Sequence, residues 1–534
     1  MTAMPHPPFV ARRAAVAAPH RLAAAAGLRT LLEGGNAVDA MVACNAALGV
    51  VYPHMTGPGG DAFWLIFDAA SRRAYALNAS GRAGTAATRA VYLEGGASAI
   101  PVRGPRAALT VPGAVDGWIQ SQRRFGRLPL SRSLAPAIAY ARDGYPVSGG
   151  QARWTRSHRE LLAESPEAAA VFLHADGQPY AAGELFRHPR LAATLEAIAE
   201  GGRAAFYEGP IAAAVSSYLR HQGGVLSADD FAAHVSDWEE PIAVEYRGLR
   251  AINLPPNSQG FSALQILGML DTVDVGATAE DPAAYVDLVV RATALAFEDR
   301  DRYLTDPRFL HIPLDRLLSR DYLAERASAM ATVVERGPAG SRPIGGDTTF
   351  SCCVDAEGNA AAVIQSLYFE WGSGVVAGET GLLLQNRGTF FSLDPDHHNR
   401  LEPGKRTFHT LTAAMLLAEG KPALVYGAMG GEGQPQTQAA LTTRVVDFGL
   451  DVQAATDAPR WLYGRTWGEA YRGLRLEGRF GAATVAELER RGHPRVELVA
   501  DWDELLGHAQ AIQVFGDRLE AASDPRSDGA ALGY

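Results

Sequence analysis

Apolar positions recur along this chain with two different spacings, and the spacing changes part-way. Up to about residue 340 most apolar runs follow the helical period. "NAVDAMVACNAALGVVYP" predicts a buried helix, and "PGAVDGWIQSQRRFG" and "SRSLAPAIAYARDG" predict amphipathic helices that stop at glycine. "DAFWLIFDAASRRAYALNAS" predicts a hairpin, two apolar runs around a polar turn. From Phe350 onward strands prevail: "FSCCVD", "AAVIQSLYF", "GLLLQN", "AAMLLAEGKPALVYGAM" and "AIQVFGDRLEAASD". One long helix, Gln434 to Phe448, interrupts them. Sheets sandwiched by helices follow from this order. The Gly-, Pro- and Arg-rich run 335–346 is the one linker-like stretch, and no internal repeat is present.

Composition narrows the possible partners. The 534 residues are 47% hydrophobic and 20% charged, with a formal charge of -10. No basic stripe is available to neutralise phosphates, so a nucleic-acid partner is not expected. Lys405 and Lys421 are the only lysines, which leaves few candidates for Schiff-base chemistry. Cys44, Cys352 and Cys353 cannot build a disulfide framework, and adjacent Cys352 and Cys353 are expected on opposite faces of one strand. The Ala-rich N-terminal run is broken by His20, Arg21 and Arg29, and reads as strand, turn and amphipathic helix rather than a signal peptide. No apolar run approaches the length of about 20 residues that spans a membrane. A cytoplasmic location is therefore expected.

Candidate chemistry gathers where the linker meets the strands. The strand from Thr349 is followed by "DAEGN", a short hairpin loop centred on Glu357. Pairing about that centre sets position 348 opposite 366, so the hydroxyls of Thr348 and Ser366 are expected side by side. Further on, "PALVYGAMGGEGQPQTQAALTTRVV" runs strand, glycine turn, helix. Gly430 and Gly431 let backbone N–H groups approach a ligand at a helix start, which is oxyanion-hole anatomy.

These runs, with "PGKRTFHTL", "SDPRSDGAALGY", "EGGNAVDAMVA", "GPGGDAFWLI" and "VPGAVDGW", resemble the γ-glutamyltranspeptidase family over nearly the whole chain. The resemblance implies an N-terminal-nucleophile hydrolase with a four-layer αββα core. It implies a precursor that cuts itself between Asp347 and Thr348 into a large subunit, 1–347, and a small one, 348–534. Both would contribute to one core, and an assembly of such heterodimers is left open. By position, the nucleophile falls on Thr348, its hydroxyl partner on Ser366, and the oxyanion glycines on Gly430 and Gly431. Arg82, in "NASGRAGTAA", falls where the family holds a substrate carboxylate.

Departures from the family pattern carry information about substrate. Phe390 stands where an acidic residue grips a glutamyl α-amino group, and His409 and Thr410 replace a serine pair. Tyr368 replaces an asparagine, and the segment 390–409 is too short for most of the lid loop. Together with "VVYPHMTGPGGDAFWLI", "QSLYFEWGSGV", "QNRGTFFSLDP" and "PRWLYGRTWG", these departures resemble the oxamate-hydrolysing subgroup of the family. A small anionic amide would then be the substrate, with Arg82, Arg387 and His409 as candidates for its carboxylate and Tyr368 and Thr410 in the pocket. γ-Glutamyl transfer or glutathione hydrolysis, a cephalosporin- or glutaryl-type acylase, and a non-catalytic binding protein are the alternatives. A serine hydrolase lacks its G-x-S-x-G elbow here. His397 and His398 are adjacent in turn-like sequence, without zinc-helix spacing, so neither a metal nor any other cofactor is expected.

Overall fold

The computed structural model describes residues 6–94, 96–332, 347–464 and 473–534. The linker-like run 335–346 lies outside them. Two seven-stranded sheets form the centre. One runs Phe9–Ala11, Leu519–Ser523, Ala509–Val514, Lys421–Ala428, Ala414–Ala418, Leu249–Asn253, Ile242–Tyr246. The other runs Ala530–Gly533, Ala15–Ala18, Asp347–Val354, Ala360–Tyr368, Asp61–Asp68, Arg73–Ala79, Asp237–Glu239. Neighbouring strands in both are antiparallel.

Alternation along the strands builds the layers. Phe63, Leu65, Phe350, Cys352 and Ile364 point between the sheets, where they meet Ile252, Met415, Val425 and Ile512. Trp64, Ile66, Cys353, Ala361 and Val363 point the other way, into the helices Arg21–Leu32, Ala37–Val51 and Ala114–Phe125. Cys352 and Cys353 thus lie on opposite faces, as expected. On the far side, Leu416, Leu424 and Tyr426 pack on Gly260–Leu270, Pro282–Tyr303 and Gly433–Val446. The result is the αββα sandwich. Gly427 lies flat on the Phe350 ring, where a Cβ would sit 2.5 Å from a ring carbon. That contact brings the central strands of the two sheets together, and emptying it with Phe350→Ala would cost about 3–5 kcal/mol.

Local chemistry explains the predicted helices. Asn36 and Asp39 form a capping box: the Asn36 side chain accepts from Val38 and Asp39 N–H at 3.0 and 3.1 Å, and Asp39 accepts from Asn36 N–H at 3.0 Å. Asp355, in the hairpin turn, accepts from Ala37 N–H at 3.0 Å and so docks this helix on the Asp347–Val354 hairpin. The regular structure of the first part of the chain is mostly helical, as expected, and it also supplies strands to both sheets. One expectation needs correction. "GLLLQN" is no strand: its N–H groups go to Val375, Gly59 and Leu367 in turn, three segments rather than one ladder.

Candidate active site

The hairpin centred on Glu357 carries the expected register from Val354↔Ala360 to Thr349↔Gln365. There it breaks. Asp347 pairs with Tyr368, so Ser366 and Leu367 together oppose Thr348 in a β-bulge. Tyr368 takes φ 88°, a conformation unusual for tyrosine, and its N–H donates to Ser366 Oγ at 2.7 Å. The Thr348 hydroxyl is buried and, among the described residues, has no hydrogen-bond partner. The expected Thr348–Ser366 hydroxyl bond is therefore not made in this structure; Ser366 Oγ accepts the Tyr368 N–H within the bulge. Gly60 backs this point, since a Cβ there would sit 2.2 Å from Ser366 O.

Across the sandwich, the strand Lys421–Ala428 runs into the glycine turn and then the helix Gly433–Val446. Gly430 and Gly431 adopt φ 126° and 54°, which only glycine takes readily. Their carbonyls accept from Gly433 and Gln434 N–H at 2.8 and 3.3 Å. Their own N–H groups donate to no protein acceptor among the described residues. Such a pair at a helix start is equipped to receive an oxyanion.

The candidate carboxylate holders separate sharply. Arg82 is already spent on the protein: Nη1 donates to Asp306 at 2.9 Å and Nη2 to Asp237 at 3.0 Å. Both terminal nitrogens therefore already have carboxylate partners in this structure. His409 is no cation either. Burial and the nearby Arg387 push its pKa down to about 3 against the pull of Asp61. As a neutral ring it donates from Nε2 to Asp61 at 3.2 Å and accepts Leu411 N–H on Nδ1 at 3.5 Å. Arg387 is different. It is 1% exposed, has no carboxylate within ion-pair distance among the described residues, and leaves Nη1 without a partner. Nη2 reaches Thr410 Oγ1 at 3.4 Å, and the guanidinium lies 3.9 Å over the Tyr368 ring and 5.2 Å from that of Phe390. Burial lowers its pKa to about 10, still charged at neutral pH. A buried, half-satisfied cation walled by stacked Tyr368 and Phe390, 4.8 Å apart, suits a small anion.

One residue escaped the sequence reading. Asp61, fully buried, pairs in register with Ser366 and accepts from Gly81 N–H, Gly113 N–H and Gln385 Nε2 at 2.9, 3.2 and 3.0 Å, besides His409. It ties the Ser366 end of the hairpin to the His409–Thr410 segment. Its only signal was an acid directly after "GPGG" at a strand start, which resembles any turn. His397 and His398 stack on each other at 4.4 Å. Among the described residues no group of three or more His, Cys, Asp or Glu side chains gathers to hold a metal.

The family model for gamma-glutamyltranspeptidase matches residues 23–534. The chain belongs to that family. It is 50% identical over 519 residues to the glutathione hydrolase-like YwrD proenzyme of Bacillus subtilis strain 168, covering 97% of this chain and 98% of the relative. It is 44% identical over 536 residues to the oxamate amidohydrolase proenzyme of Klebsiella pneumoniae, covering 99% and 100%. The crystal structure of cephalosporin acylase from Bacillus halodurans superposes with a TM-score of 0.91 at 35% identity, covering 100% of this chain and 99% of that one. This member of the γ-glutamyltranspeptidase family is thus an amide hydrolase of the N-terminal-nucleophile class. No helix among its described residues is long and apolar enough to cross a membrane.

The buried histidines of this family member make stability pH-dependent. Burial holds His20, His188 and His234 at about 4 and His409 at about 3, all below the unfolded value near 6.5. The unfolded chain therefore binds more protons below pH 6.5, and stability present above that pH is lost as pH falls towards 4. His409 alone contributes about 2 kcal/mol of loss between pH 7.5 and 5. Melting midpoints should drop over that interval, and by less in His409→Gln; a flat profile in the parent protein would contradict the burial of neutral rings.

Proposed function

We propose that the chain cuts itself between Asp347 and Thr348 and then hydrolyses a small amide bearing an adjacent carboxylate, with oxamate the substrate. The Thr348 hydroxyl attacks the Asp347 carbonyl, the amide becomes an ester, and water releases the large subunit. Thr348 is left with a free α-amine of ordinary pKa near 8, which serves as base for its own hydroxyl. The hydroxyl adds to the oxamate amide carbonyl while Gly430 and Gly431 N–H groups receive the oxyanion. Ammonia departs with the proton that the amine had taken, and water opens the oxalyl ester to give oxalate. Ser366, within the bulge, is assigned to hold the nucleophile once cleavage frees it.

The observation that carries the substrate is Arg387, a buried cation with an open nitrogen between two aromatic rings. No carboxylate of the described residues lies within ion-pair distance of it, which leaves room for one from a substrate. Tyr368, Phe390 and Thr410 surround this cation, the aromatic ring of Phe390 standing where the family has an acid, and the oxamate activity in the Klebsiella relative's name supports the same reading. Processed protein incubated with oxamate should release oxalate and ammonia in equal amounts. Turnover of glutaryl amides or glutathione, with none of oxamate, would remove this reading.

A further inference from the structure

Three successive peptide planes form the glycine turn; two are held by hydrogen bonds to their carbonyls and one by close packing. Because a peptide is planar and trans, fixing a C=O aims the N–H of the same plane the opposite way. The Gly430 carbonyl accepts from Gly433 N–H at 2.8 Å, which sets the Gly431 N–H. The Met429 carbonyl, which sets the Gly430 N–H, lies against Gly507: a Cβ there would stand 2.1 Å from Met429 O, and Gly507 itself has φ 81°. The Gly431 carbonyl, whose plane carries the Glu432 N–H, accepts from the Nε2 of Gln259 at 3.0 Å, which anchors the turn just past the two N–H groups.

Gln259 does more than hold that plane. It is fully buried at the start of Gly260–Leu270, and its backbone N–H donates to His409 O at 3.0 Å. The same Nε2 donates to Thr410 O at 2.7 Å, and Oε1 accepts from Arg300 Nη1 at 3.4 Å. Arg300 in turn pairs with Glu432 at 3.0 Å, both side chains buried. Two bonds through one nitrogen keep the Thr410 and Gly431 carbonyl oxygens within about 6 Å of each other. Thr410 is the residue whose hydroxyl meets Arg387. One carboxamide therefore spans from the anion-holding segment to the oxyanion turn.

We propose that Gln259, with Gly507 packed against the Met429 end, is a positioning residue that anchors the Gly431 end of the glycine turn, and so its two N–H groups, relative to the Arg387–Thr410 pair. This rests on the reading that Gly430 and Gly431 receive the oxyanion. Such a group acts on the transition state and not on ground-state binding, so its loss falls on kcat. Gln259→Met removes both donated bonds at similar volume, and Gly507→Ala pushes the turn at the Met429 carbonyl. Each is assayed after maturation, with folding checked by circular dichroism, on whichever of oxamate, glutathione or a glutaryl amide the parent hydrolyses fastest. The expected result is a kcat lower by about 10- to 100-fold with KM changed by less than about 3-fold. Should Gln259→Met fail to mature, Gly507→Ala carries the comparison. An unchanged kcat, or a loss confined to KM, overturns the proposal. Parent protein that ignores oxamate would refute the substrate assignment instead, and the kcat comparison would still decide the role of Gln259.

Discussion

Thr348→Ala should stay a single chain and lose hydrolysis by at least about 10^4-fold, the scale on which a removed nucleophile acts. It should also fold normally. The Thr348 hydroxyl is buried without a partner, so deleting it breaks no hydrogen bond and leaves no orphan behind. Loss of activity with an equal or higher melting midpoint would separate a chemical role from a structural one. Thr348→Ser keeps the hydroxyl and should still cleave, more slowly, because a side chain without β-branching samples more rotamers. Denaturing electrophoresis and N-terminal sequencing of the smaller fragment check both. A fragment starting elsewhere, or an uncut active variant, would refute the cleavage scheme.

Arg387→Met should produce opposite changes in activity and stability. For an anionic amide, removing the one buried cation that faces the aromatic walls should lower kcat/KM by about 100- to 1000-fold, or about 3–4 kcal/mol. In the empty protein that same cation is a burden. Burial lowers its pKa from 12.5 to about 10, so holding the charge costs on the order of a few kcal/mol, partly offset by the Tyr368 ring. Methionine fills similar space without the charge, and the melting midpoint should hold or rise. Steady-state kinetics and a melting curve on one preparation decide. A variant that is destabilised and keeps its kcat/KM would make Arg387 a packing residue.

What was legible in the chain was local. The loop "DAEGN" set the hairpin centre correctly because Asp355 and Gly358 have turn chemistry of their own: Asp355 accepts from Glu357 and Asn359 N–H, and Gly358 has φ 85°. The bulge beyond it was not legible, since it depends on Tyr368 taking a conformation that tyrosine rarely takes. Helices with caps were clear, whereas short strands such as Phe9–Ala11, which pairs with Leu519–Ser523, needed partners far along the chain to exist. The same distance hid the fate of Arg82, whose carboxylates are 155 and 224 residues away. His409 looked like a cation by type, and only its burial beside Arg387 shows it neutral. Residue type suggested three cations for the site; among the described residues Arg387 alone of the three keeps a buried nitrogen without a partner.

The proposed substrate requires that this site select a small carboxylate amide over a γ-glutamyl donor. A γ-glutamyl donor brings an α-ammonium that must shed water on entering, and the Phe390 ring offers it no hydrogen bond. Oxamate brings only an anion for Arg387. The decisive measurement is kcat/KM for ammonia release from oxamate against glutamate release from glutathione, on the same processed preparation. The expected ratio is at least about 100 in favour of oxamate, roughly 2.7 kcal/mol of transition-state discrimination. A ratio below one would contradict the account and assign the site to γ-glutamyl chemistry.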